Sequence, residues 1–239
     1  MNPLNPGMFR AMRDLAAIVI VTTMLLAVIP VLAAGGNPGG GGKFSATSPV
    51  SVYTSTVHAG SVVVNGTSTL HNWSIKTTHL AGSVSAFLPS ATAAAKTSAS
   101  LNAINLTISV DTLKSTEGGG MDSNVYGALH HRKNPFITYR LVKAVLNKKP
   151  GIGHAAYTFA TSGRLTVAGK TRNVKLPLIV RPATNGRLVI STHVKLKMTD
   201  FGISPPTAML GFIKSGNTVS IKALWNLVRQ PRNVTVAKP

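Results

Sequence analysis

The sequence predicts an all-β fold, an antiparallel up-and-down barrel of about eight strands with one short helix. Three observations carry this. Aromatic residues are few, at 5%, while Gly, Thr, Ser, Ala and Val are abundant, a composition suited to many short strands. Several stretches alternate apolar and polar residues with period two. Only one stretch, near residue 121, carries apolar residues at helical spacing.

The clearest strand is LVISTHVKLKM. Leu188, Ile190, Thr192, Val194, Leu196 and Met198 point one way, and Val189, Ser191, His193, Lys195 and Lys197 the other. VSIKALWNL does the same, with Val219, Ile221, Ala223, Trp225 and Leu227 on one face. Ile108 and Val110 share a face with Leu106. Ile137 and Tyr139 share one with Leu141, and Val174, Leu176, Leu178 and Val180 make a further set. Tyr157 and Phe159 share a face with Leu165 and Val167, on either side of an expected turn or bend at Gly163. Earlier strands are expected at 50–58, 60–66, 70–79 and 82–88. Tight turns are expected at Asn65-Gly66, Asn185-Gly186 and Gly216-Asn217. Half-apolar antiparallel strands must bury their apolar faces, and closing the sheet does so while removing its edges. A sandwich is the alternative architecture.

The helix is expected over MDSNVYGALHHRK. Met121, Val125 and Leu129 form its apolar stripe, Asp122 lies in its first turn, and Arg132 and Lys133 in its last. Asn134-Pro135 stops it. Its stripe belongs over a barrel mouth or along the flank. The adjacent pair His130-His131 points about 100° apart on a helix, so convergence on one metal is disfavoured. No metal site is expected.

The chain has 239 residues, enough for one large barrel domain, and no cysteine, which excludes disulfides, thiolate metal sites and cysteine catalysis. Its formal charge is +20, with five acidic residues. Such an excess favours an anionic partner such as a membrane surface, or adaptation to an acidic exterior. Residues 1–33 read as a secretory signal peptide: Arg10 and Arg13, then an apolar run, then the exit Val31-Leu32-Ala33. The run is also long enough to serve as an uncleaved anchor. Residues 34–49 are a Gly-rich linker, 50–229 the barrel domain and 230–239 a tail. The expected location is the bacterial periplasm or the outside of the cell.

Catalysis is not expected. Ser68 and His71 lack a third partner, and no GxSxG motif occurs. His71 is expected as a hydrogen-bonded barrel histidine or a head-group contact. Asp200 in MTDFG reads as a turn cap before Gly202, since no other kinase element accompanies the DFG. No cofactor is implied, and scattered charge without a reading element argues against nucleic acid.

Three stretches resemble one known family: VNGTSTLHNWSI from Val64; LTISVDTLKS with MDSNVYGALHHRKNPFITYRL; and GRLTVAGKTRNVKLPLIV with LKMTDFGISPPTAMLGFIKSGNTVSIKALWNL. They are spread along nearly all of the chain from about residue 50 to 228 and resemble the YceI-like family of exported, lipocalin-like proteins. The resemblance implies a lipocalin-like barrel with an elongated apolar cavity. Its guest would be a polyisoprenoid or isoprenoid-quinone-like lipid, and it implies no catalysis. The residues expected to line the cavity are Trp73, Ile108, Val110, Ile137, Tyr139, Leu165, Val167, Leu196, Met198 and Trp225, with Met121, Val125 and Leu129 covering one region. The alternative is a basic adaptor that binds anionic lipid or polymer at the envelope surface, its barrel filled. A dimer is left open.

Overall fold

The structure is a computed structural model that describes residues 50–55, 58–89, 98–151, 156–208 and 212–231. The expected signal peptide, the linker and residues 232–239 of the tail lie outside the described residues.

Strands β1 (Ser51–Ser55), β2 (Gly60–Thr67), β3 (Asn72–Thr77), β4 (Leu80–Phe87), β5 (Ser100–Ser109) and β6 (Lys114–Ser115) precede helix α1 (Gly119–Ala128). Strands β7 (Phe136–Lys148), β8 (Tyr157–Val167), β9 (Lys170–Pro182), β10 (Arg187–Lys197) and β13 (Thr218–Arg229) follow it, with a small hairpin of β11 (Thr207–Ala208) and β12 (Ile213–Lys214) before the last. All pairings are antiparallel. The order β1-β4-β5-β7-β8-β9-β10-β13 closes through β1 on β13, an eight-stranded barrel in chain order. The sheet is therefore a closed barrel and not a sandwich.

The first three walls are each broken and then continued. β1 and β2 lie along the same edge of β13, with Thr54 opposite Val228 and Val62 opposite Ala223. β3 continues β4 and pairs with β2, and β6 continues β5 and pairs with β3. Hydroxyls satisfy the backbone and each other at these breaks. The Thr77 hydroxyl, buried, donates to Thr112 Oγ1 at 2.7 Å, and Thr112 Oγ1 donates to the Ser109 carbonyl at 2.7 Å. Buried polar groups are tolerated when they are paired in this way.

Two expected turns lie elsewhere. Asn65 and Gly66 are inside β2, and the β2–β3 connection falls at Ser68–His71, where Ser68 Oγ accepts from the Leu70 and His71 amides. Gly66 is there for space: a Cβ would lie 2.0 Å from the Trp73 ring. Gly163 does not bend β8, which runs unbroken and in register with β9. A Cβ at Gly163 would meet the Tyr139 ring at 2.5 Å. The actual turn is Ala168-Gly169, with φ of 49° and 75°. Asn185-Gly186, with φ of 58° and 68°, forms the hairpin turn its sequence predicts.

The helix is shorter than expected. It ends at Ala128, so Arg132 and Lys133 lie beyond its last turn. The reason is a Schellman-type cap. His130 takes the left-handed conformation, φ 50°, its amide bonds to the Gly127 carbonyl, and the His131 amide reaches back to Tyr126 at 3.0 Å. The Tyr126 and His131 rings then pack at 5.2 Å. The adjacent histidines thus end a helix.

Half of the barrel is solid. Tyr157, Phe159, Val84, Val180, Leu188 and Leu227 are fully buried, and the Tyr157 hydroxyl donates to the Pro89 carbonyl. We call this half the floor. The mouth is the other end, where the β2–β3 turn, α1, the β8–β9 turn and the β10–β13 connection gather.

A left-handed histidine carries a steric cost that glycine does not. His130→Gly is expected to stabilise the protein by about 1 kcal/mol and raise Tm by roughly 2–4 °C in a domain of this size. Thermal unfolding followed by circular dichroism measures it; a lower Tm would contradict the capping role.

Candidate ligand-binding cavity

Above the floor the barrel encloses a cavity of about 270 Å³. Along β13 its wall runs from Val219 to Trp225, six steps of about 3.3 Å, or roughly 20 Å. It ends where the packed floor begins: Trp225 and Ile190, opposite one another across β13 and β10, face the cavity, while Leu227 and Leu188, one inward position further, do not.

Most residues read from the sequence as lining lie on this wall. Trp73 on β3, Ile108 on β5, Ile137 and Tyr139 on β7, and Leu165 and Val167 on β8 are there, as are Leu196, Met198 and Trp225. So are Met121 and Val125, which α1 presents over the mouth together with Asn124 and Ala128, and Leu129, which caps its C-terminus. Val110 stands apart. It opens the 3-10 helix Val110–Thr112 and is 1% exposed, but it does not line the cavity.

The structure adds residues the sequence reading did not select. Leu176, Leu178, Ile190, Val194, Val219 and Ile221 belong to inward faces already visible as alternating sets. Phe201, Ile203 and Pro206 come from the 3-10 helix Met198–Phe201 and the segment after it, where no periodicity marks them. His71 is not a barrel histidine. It precedes β3 at the rim, half exposed, with Nε2 2.9 Å from Glu117 Oε1. The Ser68 hydroxyl donates to the His71 carbonyl at 2.8 Å, not to its ring.

Polar lining is sparse: Asn124, Ser191, Thr192, Lys197 and Ser215. The two tryptophans differ. The indole of Trp73 donates to the Thr67 carbonyl at 3.2 Å, whereas Trp225 Nε1, on a side chain 4% exposed, has no partner among the described residues. An unpaired buried donor costs about 1–3 kcal/mol. Tyr139 is buried against the cavity with its hydroxyl 3.4 Å from Thr161 Oγ1. Burial pushes its phenol pKa above the ordinary value, and the Thr161 contact only partly offsets this. Among the described residues no three metal-ligating side chains come together.

The lid is held by polar contacts on its outer side. The Ser115 amide donates to Asp122 Oδ1 at 2.6 Å, and Lys114 Nζ lies 3.4 Å from Asp122 Oδ2 and 2.8 Å from the Tyr126 hydroxyl. That hydroxyl faces the carbonyls of Asp111 and Leu113, at 2.9 and 3.0 Å. The hydrogen bond to Tyr126 raises the Lys114 pKa above its ordinary value. Three of the four described carboxylates, Asp111, Glu117 and Asp122, sit in this segment and bind neighbouring groups.

The family model for the YceI-like domain matches residues 50–226, and the chain belongs to that family. Among solved structures, Burkholderia cenocepacia BcnA superposes with a TM-score of 0.52 at 17% identity, covering 72% of this chain and 99% of that one. A polyisoprenoid binding domain from Saccharophagus degradans, implicated in plant cell wall breakdown, superposes with a TM-score of 0.53 at 11% identity, covering 76% and 100%. At such identities the likeness is one of fold. No curated protein matched the chain.

The raised phenol sets an alkaline limit. Below the ordinary tyrosine value, about 10, both folded and unfolded chains keep the proton and stability is unaffected. Above it the unfolded chain releases the proton first and binds fewer, so stability falls with pH until the folded phenol ionises. Each such tyrosine contributes a slope of about 1.4 kcal/mol per pH unit in that window. Tyr139→Phe is expected to flatten the fall. Denaturant unfolding at a series of pH values tests this, and an unchanged slope would contradict it.

Proposed function

We propose that the protein is a non-catalytic binder or carrier of a long-chain apolar amphiphile, a polyisoprenoid or isoprenoid quinone, working in the periplasm or outside the cell. One observation carries the reading: the mouth half of the barrel is walled by aliphatic and aromatic side chains and left unfilled. Its volume is near the lower end of ligand pockets, about 300–1,000 Å³, and its length favours a slender chain over a ring system. Each buried methylene-sized group gains about 0.8 kcal/mol before ordering costs. The head group then stays at the mouth, where Asn124, Ser215 and the cationic Lys197 stand. Membership of the family and the likeness to the polyisoprenoid binding domain of Saccharophagus degradans support an isoprenoid guest. The apolar N-terminal run supports export.

A second reading rests on the net charge of +20. Lys175, Lys195 and Lys222 are exposed on the outer wall, and an adaptor for anionic lipid or polymer would use them. Attachment through such a face collapses at high salt, whereas a buried tail stays bound.

Lipid extracted from the purified protein and identified by mass spectrometry is expected to contain a prenyl chain. Ala223→Phe, which places a ring into the cavity from β13, is expected to reduce uptake of added prenyl lipid by about tenfold or more, equivalent to losing ~1.4 kcal/mol of binding. Empty extracts with no uptake by the unaltered protein, or uptake untouched by Ala223→Phe, would overturn the reading.

A further inference from the structure

Two segments meet beside the cavity opening. The β2–β3 turn carries Leu70, and the residue before β12 is Phe212. They are the most exposed large apolar side chains among the described residues, at 68% and 82%. Single exposed hydrophobics are ordinary. These two are distinguished by being tied together. The Thr69 amide donates to the Lys214 carbonyl at 3.0 Å, the Lys214 amide to Thr69 Oγ1 at 3.1 Å, and Thr69 Oγ1 to the Phe212 carbonyl at 3.2 Å. Ser68 bridges Ser215, and the Ser215 amide donates to the Pro206 carbonyl at 2.9 Å. Ser215 and Pro206 both line the cavity. The tips are thus one unit at the rim. Burial in the core accounts for neither side chain.

The charge around them is mostly basic, although Asp200, exposed at the same end, has no ion pair among the described residues. Lys214 is two residues from Phe212 and exposed, as is Lys197 at the cavity rim. Exposed Lys170 and Arg172 stand at the β8–β9 turn of the same end. Glu117 is occupied by His71, and Asp122 by Lys114 and the Ser115 amide. Apolar tips flanked by lysines match the interface of an anionic bilayer, where rings and aliphatic chains enter the headgroup region and ammonium groups meet phosphates.

We propose that the Leu70–Phe212 pair is a membrane-docking edge, which rests the barrel mouth on an anionic bilayer. The proposal rests on the lipid-binding reading: a tail leaving the bilayer enters the cavity without crossing water. A second copy or another protein covering the tips would be a different outcome.

The test uses the exported, processed protein and sedimentation with vesicles of phosphatidylglycerol and phosphatidylcholine, beside vesicles of phosphatidylcholine alone. The unaltered protein is expected to sediment with the anionic vesicles, less so at high salt. The double variant Leu70→Ser, Phe212→Ser is expected to bind them at least about tenfold more weakly, the effect of losing partial burial of two large apolar side chains. Val142→Ser, which alters a 64% exposed side chain on the β7 wall, should stay within about twofold. Prenyl lipid delivered in detergent separates the two claims. If the double variant takes it up normally but fails on vesicles, docking stands; if vesicle binding is lost by neither variant or equally by both, or if the unaltered protein ignores anionic vesicles, docking is overturned whatever the cavity binds. Self-association of the unaltered protein that the double variant abolishes, without vesicle binding, would assign the tips to a second copy and overturn the proposal too.

Discussion

Closure through β13 is the constraint on which the rest depends. β13 pairs with β10 from Arg187–Val228 to Lys197–Thr218, and gives its other edge to β2 and then to β1. Each of the eight barrel strands thereby has two neighbours, which reduces the edge that could template aggregation. Side chains alternate across a strand, so closure sorts each strand's residues into an inside and an outside. On β13 that puts Val219, Ile221, Ala223, Trp225 and Leu227 inside and Lys222 outside. A one-residue slip would turn the lysine into the cavity.

What fills the inside then decides what the barrel can do. At the floor, Tyr157 and Phe159 with Leu188 and Leu227 pack the interior solid. Toward the mouth the wall is mainly aliphatic, and two of its large rings are set back into it. Gly66 makes room for Trp73, and Gly163 makes room for Tyr139. A small number of aromatics, placed so, closes one end and leaves a tunnel at the other. The helix completes the tunnel. Its apolar face covers the mouth, while Asp122 and Tyr126 hold its outer side to β6 and the preceding 3-10 helix. The acidic residues of a very basic protein are concentrated where a lid has to be fastened.

Much of this was legible from residue order, because a two-residue period and a barrel's inside and outside express the same physics. The inward sets on β8, β9, β10 and β13 were visible for that reason, and so was the stripe on α1. Where the sequence misled, a residue type had two uses. Gly66 and Gly163 looked like turn residues, but their missing side chains serve Trp73 and Tyr139 across the sheet, a contact no local window contains. His130 and His131 read as part of a longer helix, but a left-handed histidine ends it early. His71 reads as a barrel histidine, but it lies before β3 begins, where strand alternation no longer dictates a face. The lining residues Phe201 and Ile203 had no signal, since a 3-10 turn and an irregular segment carry no usable period.

The claim at the centre is that the mouth half of the barrel, and no other part, receives an apolar tail. Intermolecular nuclear Overhauser contacts between a labelled prenyl lipid and the methyl groups of the protein test it directly. Contacts are expected to Leu165, Leu196 and Ile221, and none to Val180 or Leu188 in the packed floor. Contacts confined to outer-wall methyls such as Val142 and Val228, or a barrel interior unchanged by saturating lipid, would contradict it.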